Sequence, residues 1–566
     1  MLFLMLACNP PPQPVQDGPG WLSGPWPSGD IADLTMPETD SDLGTTMVQG
    51  WTGQAALAAD GWSHFQPVLF PFEEAWDEPE AVLLDSEGNE HPIDLVFIEQ
   101  AHGDPFLADN TLVLSPKPQH PLKSGETYTA VVADGLVETS FTVQDSRGAL
   151  AVLKQATDEV PVPDAQDWKR VIEMDARQGE TPNGNPATVF TVTFEDGSTE
   201  VSYLDDSASA PEQSWDLDEG WPMEVWQTSI DTVAMRETAG MPWASPGVGL
   251  LTDFNRRDDG WIDLDDLALE AEPMRVVVQI PKDIDPRAVL TWDHGTGGHA
   301  YNAVHRINDG DRGDEVAARL AEEGVVVVSR DQPLYGTRYP LIDKGFSGSI
   351  GFYNIGNLPA FRDNQRQGAV DNYVLTRWVR SQWDLPVASF GHSLGSVTNN
   401  LAMAMTQDDG TQAALQSGSG GFFTFYILET QLLGSSNSAV TTLGPLFGVD
   451  DLTDYSPTEL LGLLIGLPEE AWPNLDHRHP VANLFQLIMD PSDPLALAPE
   501  QSTPQTILFG VDDYQVPNKT TEWLAEALSS PTEVVYCTPA YAYDGHYCTF
   551  REDVAMDTWT AFAQGL

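Results

Sequence analysis

The sequence predicts an α/β fold over its C-terminal half, a mostly parallel sheet with helices on both faces, preceded by a small all-β domain. Three observations carry that expectation. From Met274 onward, β-branched runs such as Arg275-Val276-Val277-Val278-Gln279 and Val325-Val326-Val327-Val328 alternate with helix-like segments. Continuous apolar strands separated by helices mean a parallel sheet covered on both sides. Between about Trp62 and Val143 the pattern is instead short alternating strands bounded by turns. Finally, Gly391-His392-Ser393-Leu394-Gly395 follows the apolar run Val387-Ala388-Ser389-Phe390 and precedes apolar residues at helical spacing. That is the strand–turn–helix setting in which a serine hydroxyl is held above a sheet.

Composition narrows the partners. At 566 residues, 41% of them hydrophobic, the chain should hold two or three domains with ample core. It carries 86 acidic residues against 26 Lys and Arg, a formal net charge of −60. Phosphate-rich partners need basic patches, so nucleic acid is excluded and an anionic membrane surface or polyanionic substrate disfavoured. The acidity fits either adaptation to high salt or a lineage-wide acidic bias, with nothing in the sequence to choose between them.

The N-terminal stretch Leu4-Met5-Leu6-Ala7-Cys8 resembles a bacterial lipobox, in which Cys8 is lipidated. Residues 1–8 are accordingly expected to be a lipoprotein-type signal, with the natural start codon upstream, because no Lys or Arg precedes the apolar run. The expected location is the outer membrane, cell surface or periplasm, with membrane contact only through the N-terminal lipid. Residues 9–60, Pro- and Gly-rich at their start, are expected to form a tether. No apolar run approaches the ~18 residues of a membrane-crossing helix.

Residues 62–145 read as a β-sandwich. Leu114-Ser115-Pro116 followed by Pro121-Leu122-Lys123-Ser124-Gly125-Glu126-Thr127-Tyr128 resembles bacterial Ig-like domains, which implies a spacer or substrate-presenting module. Residues 146–272 are expected to be connecting structure, with a hairpin-like stretch at Thr191–Gly197. Within them, Asn255–Asp266 has the glycine and terminal acid of a calcium loop, but Arg257 stands where the third-position ligand belongs. A cation there repels Ca²⁺, so the stretch reads as an acidic surface turn and no metal is expected.

Residues 273–566 should contain the chemistry. Ser393 is the candidate nucleophile. Upstream, Asp293-His294-Gly295-Thr296-Gly297-Gly298 follows a predicted strand, and the backbone around Gly295 and Thr296, with the N–H of Leu394, is the expected oxyanion hole. The acid should follow the strand Gln505–Gly510. The spacing Gly510-x-x-Asp513-x-x-Val516-Pro517 selects Asp513, with Asp512 as the fallback and Asp490 or Asp493 as further alternatives. His546, between a predicted strand at Glu533–Tyr536 and a C-terminal helix, completes the order Ser393, Asp513, His546.

These residues resemble the α/β-hydrolase superfamily. With the lipobox and the Ig-like segment, the chain resembles bacterial surface-exposed lipase or lysophospholipase lipoproteins of the virulence-factor type, to which Arg362-Asp363-Asn364-Gln365-Arg366-Gln367 and Asp490-Pro491-Ser492-Asp493-Pro494 also point. The resemblance implies a serine hydrolase acting on lipid or other carboxylic esters through an acyl-enzyme, with no metal or organic cofactor. A peptidase or polyester depolymerase would use the same triad, and a catalytically silent adhesion protein is the reading from a different class. An apolar insertion at about 421–490 reads equally as a cap over the serine or as ordinary core helix. Cys537 and Cys548 bracket His546, and in an exported chain they are expected to pair.

Overall fold

The computed structural model describes residues 12–15, 24–182, 184, 186–204, 212–234, 237–238, 251–252, 270–304, 312–338, 348–353, 358–407, 410–430, 455–539 and 545–566. The leader, Cys8 and the calcium-like loop at 255–266 lie outside the described residues. The chain forms two compact units, one comprising Met1–Asp145 with Ile427–Glu429 and Leu433–Asp490, the other Ser146–Tyr426 with Thr430–Leu432 and Pro491–Leu566.

The first unit holds two small antiparallel sheets. Strands β1 (Val68–Pro71), β5 (Thr111–Pro116) and β4 (Ile93–Ile98) form one, in the order β1-β5-β4; β2 (Ala81–Leu84), β3 (Glu90–His91), β6 (Thr127–Val132) and β7 (Val137–Thr142) form the other, in the order β3-β2-β6-β7. Leu83, Tyr128, Ala130, Val132 and Phe141 are buried from the second sheet, and Val68, Phe70, Leu112 and Leu114 from the first. Part of the stretch expected to be tether is ordered as helix α1 (Asp42–Ala58). Ser41 caps it by accepting the Gly44 N–H at 2.9 Å, and Val48, Trp51 and Ala55 recur at helical spacing and are buried. The Pro/Gly-rich composition that suggested a tether ends well before this amphipathic run begins.

The second unit is built on one twelve-stranded sheet, in the order β10-β9-β8-β12-β15-β17-β16-β18-β19-β20-β21 with β11 paired to β8. Its strands are β8 (Gln166–Glu180), β9 (Pro186–Phe194), β10 (Thr199–Leu204), β11 (Gln213–Asp216), β12 (Met223–Ala234), β15 (Glu270–Pro281), β16 (Ala288–Asp293), β17 (Val325–Arg330), β18 (Val387–His392), β19 (Ala413–Ser417), β20 (Gln505–Gly510) and β21 (Thr532–Cys537). The two-residue strands β13 (Glu237–Thr238) and β14 (Leu251–Thr252) pair separately. The six strands from β17 to β21 run parallel. Numbered from β12, the order is 1-2-4-3-5-6-7-8, with the second strand antiparallel to its neighbours.

Two differences from the sequence reading stand out. The Arg275–Gln279 run, expected to lie parallel, belongs to β15 and pairs antiparallel with both β12 and β17. Residues 166–234, expected to be connecting structure, extend the same sheet as an antiparallel array, with β9 and β10 joined as a hairpin around Asp196-Gly197. Antiparallel strands tolerate a solvated face, so their sequences need not be apolar throughout.

The parallel half is covered on both sides. Helices α2 (Ser146–Glu159), α5 (Leu358–Gln382) and α6 (Leu394–Thr406) bury Leu150, Leu153, Val374, Trp378 and Leu401 against Val276, Val278, Val326 and Val328. On the other face α3 (Gly313–Glu322) and the C-terminal helix Asp553–Gly565 bury Val316, Leu320, Met556 and Trp559 against Leu290, Val325, Val327 and Phe390. Alternate valines of one strand thus serve opposite cores, which is why the run is uniformly apolar. Of the insertion at 421–490, α8 (Pro457–Leu464) and α9 (Pro480–Met489) cluster with the first unit, and residues 431–454 lie outside the described residues.

Candidate active site

Three crossings of the chain at the carboxyl end of the parallel strands assemble the site. The first is the turn after β18. Ser393 sits at φ 54°, ψ −122°, between β18 and the first residue of α6, Leu394. A non-glycine residue held there costs on the order of 1–3 kcal/mol, so the surroundings must enforce it. The flanking glycines show how. A Cβ on Gly391 would lie 2.5 Å from the Gly395 carbonyl oxygen, and one on Gly395 would lie 2.1 Å from the Asp293 carbonyl oxygen. No side chain fits at either position. The Ser393 N–H donates to the Ser417 carbonyl at 2.8 Å, tying the turn to the end of β19. Leu394, at the start of α6, offers one of the backbone N–H groups that a helix start leaves without an intrahelical acceptor.

The second crossing is the glycine-rich loop after β16. A Cβ on Gly295 would meet the Ser393 Cβ at 3.1 Å, so this backbone passes directly beside the serine. His294 fixes the loop's root: its Nε2 accepts the Gln332 N–H at 3.1 Å, its Nδ1 faces the Gly295 carbonyl at 2.7 Å, and the Gln332 amide donates to its carbonyl at 2.8 Å. That pattern requires the neutral imidazole with its proton on Nδ1, and burial pushes the His294 pKa down to about 4. Asp293, beneath it, is paired with Arg330 at 2.9 Å and accepts from the Asn372 amide. Burial outweighs the arginine's attraction and raises its carboxyl above the ordinary range. The exposed Thr296 hydroxyl lies 2.5 Å from the Tyr353 hydroxyl.

The third crossing brings acid and imidazole together. His546 lies on a 3₁₀ turn, Gly545–Phe550, and its Nδ1 is 2.8 Å from Asp513 Oδ2. Both side chains are buried. The other Asp513 oxygen accepts the N–H groups of Gln515 and Val516 at 2.9 and 2.8 Å, which locks the carboxylate's orientation. A carboxylate at Nδ1 places the ring proton there and makes Nε2 the basic nitrogen. The ring packs over Gly418, where a Cβ would lie 2.6 Å from Cε1, and its centroid is 4.8 Å from that of His392, the neighbour of Ser393. The Cys537–Cys548 disulfide joins the end of β21 to this turn.

The alternative acids face elsewhere. Asp512 is exposed, at φ 58°. Asp490 accepts from the His64 N–H and from the Gln144 and Gln486 amides. Asp493 accepts the N–H groups of Phe422, Phe423 and Leu495. Two contributors had escaped the sequence reading: Gly418, whose only signal was the glycine density of Gly418-Ser419-Gly420-Gly421, and Tyr353, which carried none.

No family model and no curated protein matches this chain. Among solved structures, it is similar to an acetyl xylan esterase from Paenibacillus sp. R4, at 11% identity and TM-score 0.38, covering 74% of this chain and 94% of that one. It is similar to acetyl xylan esterase 1 from Thermoanaerobacterium sp. JW/SL YS485, at 12% identity and TM-score 0.34, covering 69% and 86%. A thermostable carboxyl esterase from Bacillus coagulans is matched at 17% identity and TM-score 0.32, covering 52% and 94%.

Proposed function

We propose that the protein is a serine hydrolase of carboxylic esters, of the lipase, esterase or lysophospholipase kind, working through Ser393, His546 and Asp513. The observation that carries the reading is convergence. A serine at strained backbone angles, a glycine loop passing beside its Cβ, and a buried imidazole–carboxylate pair meet where β16, β18 and β19 end. His546 Nε2 takes the Ser393 proton as Oγ bonds to the ester carbonyl carbon. The oxygen, now negative, accepts from backbone N–H groups at Gly295 or Thr296 and at Leu394. Collapse breaks the carbon–oxygen bond to the alcohol, which leaves with the proton from His546. Water then repeats the sequence on the acyl-enzyme, releasing the acid and restoring the serine. Asp513 holds the tautomer and stabilises the imidazolium throughout. None of these steps calls on a metal or organic cofactor.

Export as a Cys8-lipidated protein belongs to the same proposal. It rests on the Leu4–Cys8 sequence and accords with a disulfide in the second unit. Metabolic labelling with a fatty acid, lost in Cys8→Ala, checks it.

The decisive experiment uses a fluorophosphonate probe, which reports an activated serine without knowledge of the substrate. Wild type should be labelled at Ser393 and should hydrolyse p-nitrophenyl acetate. Ser393→Ala should lose labelling and, because the three residues act as a unit, on the order of 10⁶-fold in kcat with the fold retained. Hydrolysis surviving in that variant would sink the assignment.

A further inference from the structure

An arc of packed aromatic rings starts at the glycine loop beside Ser393. It begins at Tyr353, whose hydroxyl touches that of Thr296 in the loop beside Ser393. The Tyr353 ring is 5.2 Å from Phe361 and Phe361 is 6.0 Å from Phe423, centroid to centroid. Phe423 opens helix α7 (Phe423–Glu429) at the end of the short segment that begins with Gly418, the residue under His546. The rings therefore lead from the loop beside Ser393 to the start of α7. Phe361 and Phe423 are buried and Tyr353 is half-buried.

The arc has a built anchor. Phe422 adopts φ 59°, ψ 68°, a left-handed conformation that a bulky residue keeps only under constraint. The buried carboxylate of Asp493 supplies the constraint, accepting the N–H groups of Phe422 and Phe423 at 2.9 Å each and of Leu495 at 2.8 Å. A Cβ on Gly421 would strike Leu495 at 2.5 Å and Asp493 at 2.7 Å, so the approach to α7 is fixed from both sides. A carboxylate spent on two amides at the start of α7 and one in its own turn sets where Phe423 presents its ring.

Resting on the esterase reading of Ser393, we propose that Tyr353, Phe361 and Phe423 form the wall of an acyl-binding subsite, that the enzyme selects esters with an apolar acyl group long enough to reach these rings, and that Asp493 is the positioning residue for the wall. The side of the ester follows from the chemistry. The leaving alcohol must sit at His546 to be protonated, so the acyl group projects the other way, toward Tyr353 and Phe361, with the Phe423 ring backing that of Phe361. Burying each further methylene against rings lowers the barrier only if the contact persists in the transition state, which it does for a part of the substrate remote from the reacting carbon.

The test compares kcat/KM for p-nitrophenyl acetate and p-nitrophenyl hexanoate in wild type, Phe361→Ala, Phe423→Ala and Asp493→Asn. The hexanoate-to-acetate ratio should exceed one in wild type and fall about tenfold in each phenylalanine variant, the discrimination that a few methylenes in an apolar pocket supply. Asp493→Asn should move the same ratio, whereas a loss of folding lowers both substrates together and leaves it unchanged. Phe361→Leu and Phe423→Leu give the same readout should the alanine variants not fold. A second arm holds the acyl group as acetate and lengthens the alcohol. Dependence on alcohol length rather than acyl length, or an unchanged ratio in all variants, overturns the proposal. Absence of fluorophosphonate labelling in wild type would instead remove the serine hydrolase reading beneath it.

Discussion

Asp513 divides its two oxygens between two tasks: Oδ2 faces the His546 ring while Oδ1 accepts two backbone N–H groups. Asparagine is nearly the same shape but cannot do both. Keeping an oxygen toward the Gln515 and Val516 amides turns its NH₂ toward His546 Nδ1, which forces the ring proton onto Nε2, the nitrogen that accepts from the serine in the proposed mechanism. Asp513→Asn should therefore lower kcat by about 10⁴, the usual consequence of the wrong tautomer. Asp512→Asn should change it by no more than a few-fold, because that side chain is exposed, and Asp512→Gly should be tolerated at its positive φ. Steady-state kinetics on p-nitrophenyl acetate decide between them, and a larger loss at 512 would move the acid by one residue. The spacing Gly510-x-x-Asp513-x-x-Val516-Pro517 was enough to rank Asp513 first, because turn chemistry is written locally. The duties of Asp490 and Asp493 were not, since one is bonded to residues hundreds of positions away and the other to the start of a helix some seventy residues earlier.

At the scale of elements, the His546 turn is fastened from two directions. The Gly545 N–H donates to the Asp512 carbonyl at 3.1 Å, and the disulfide ties Cys548 back to Cys537 at the end of β21. Closing so short a loop contributes roughly 2–3 kcal/mol through the unfolded chain, in the entropic account of cross-links. Its effect on the site should be larger, since a displacement of about 1 Å in a catalytic group costs on the order of a hundredfold in rate. Cys537→Ser with Cys548→Ser should accordingly lower kcat on p-nitrophenyl acetate at temperatures where the protein remains fully folded. Thermal denaturation alongside kinetics checks this, and an unchanged kcat with a lowered midpoint would make the bridge purely structural. The same scale shows what the sequence disclosed about the fold. Strands β16, β17 and β18 are buried on both faces, so their apolar runs could be read directly. Strand β8 alternates exposed and buried positions, is rich in charge, and takes its place only by pairing with β9, β11 and β12. Propensity is overridden there by tertiary context, and a single sequence carries little trace of it.

Across the whole molecule the dominant electrostatic fact is the formal net charge of −60, and self-repulsion of that size is relieved as salt shortens the screening length from ~10 Å at 0.1 M to ~3 Å at 1 M. Superposed on it is a titration set by buried imidazoles. Burial pushes His294 down to about 4 and His299 to about 3 in the second unit, and His64 to about 4 in the first. Each is lower folded than its ordinary 6.5, so the unfolded chain binds the extra proton first as pH falls. Stability is therefore full above about pH 6.5 and is lost on acidification toward the folded values. For His294 and His299 together the loss between pH 7 and pH 5 should be about 4 kcal/mol. Asp293 opposes it, since its carboxyl is raised by burial and the folded state gains protons there. Asp331 does not enter this window, because Arg275 holds its carboxyl below the ordinary range and its contribution disappears only in stronger acid. Urea denaturation at fixed high salt, where the −60 background is screened, should show stability falling from pH 7 to 5. The slope should flatten in His299→Phe, which places an apolar ring among Phe190 and Tyr301 without a group to protonate. A slope unaltered in that variant would mean that His299 takes up its proton in the folded protein, and that its pocket is open to water.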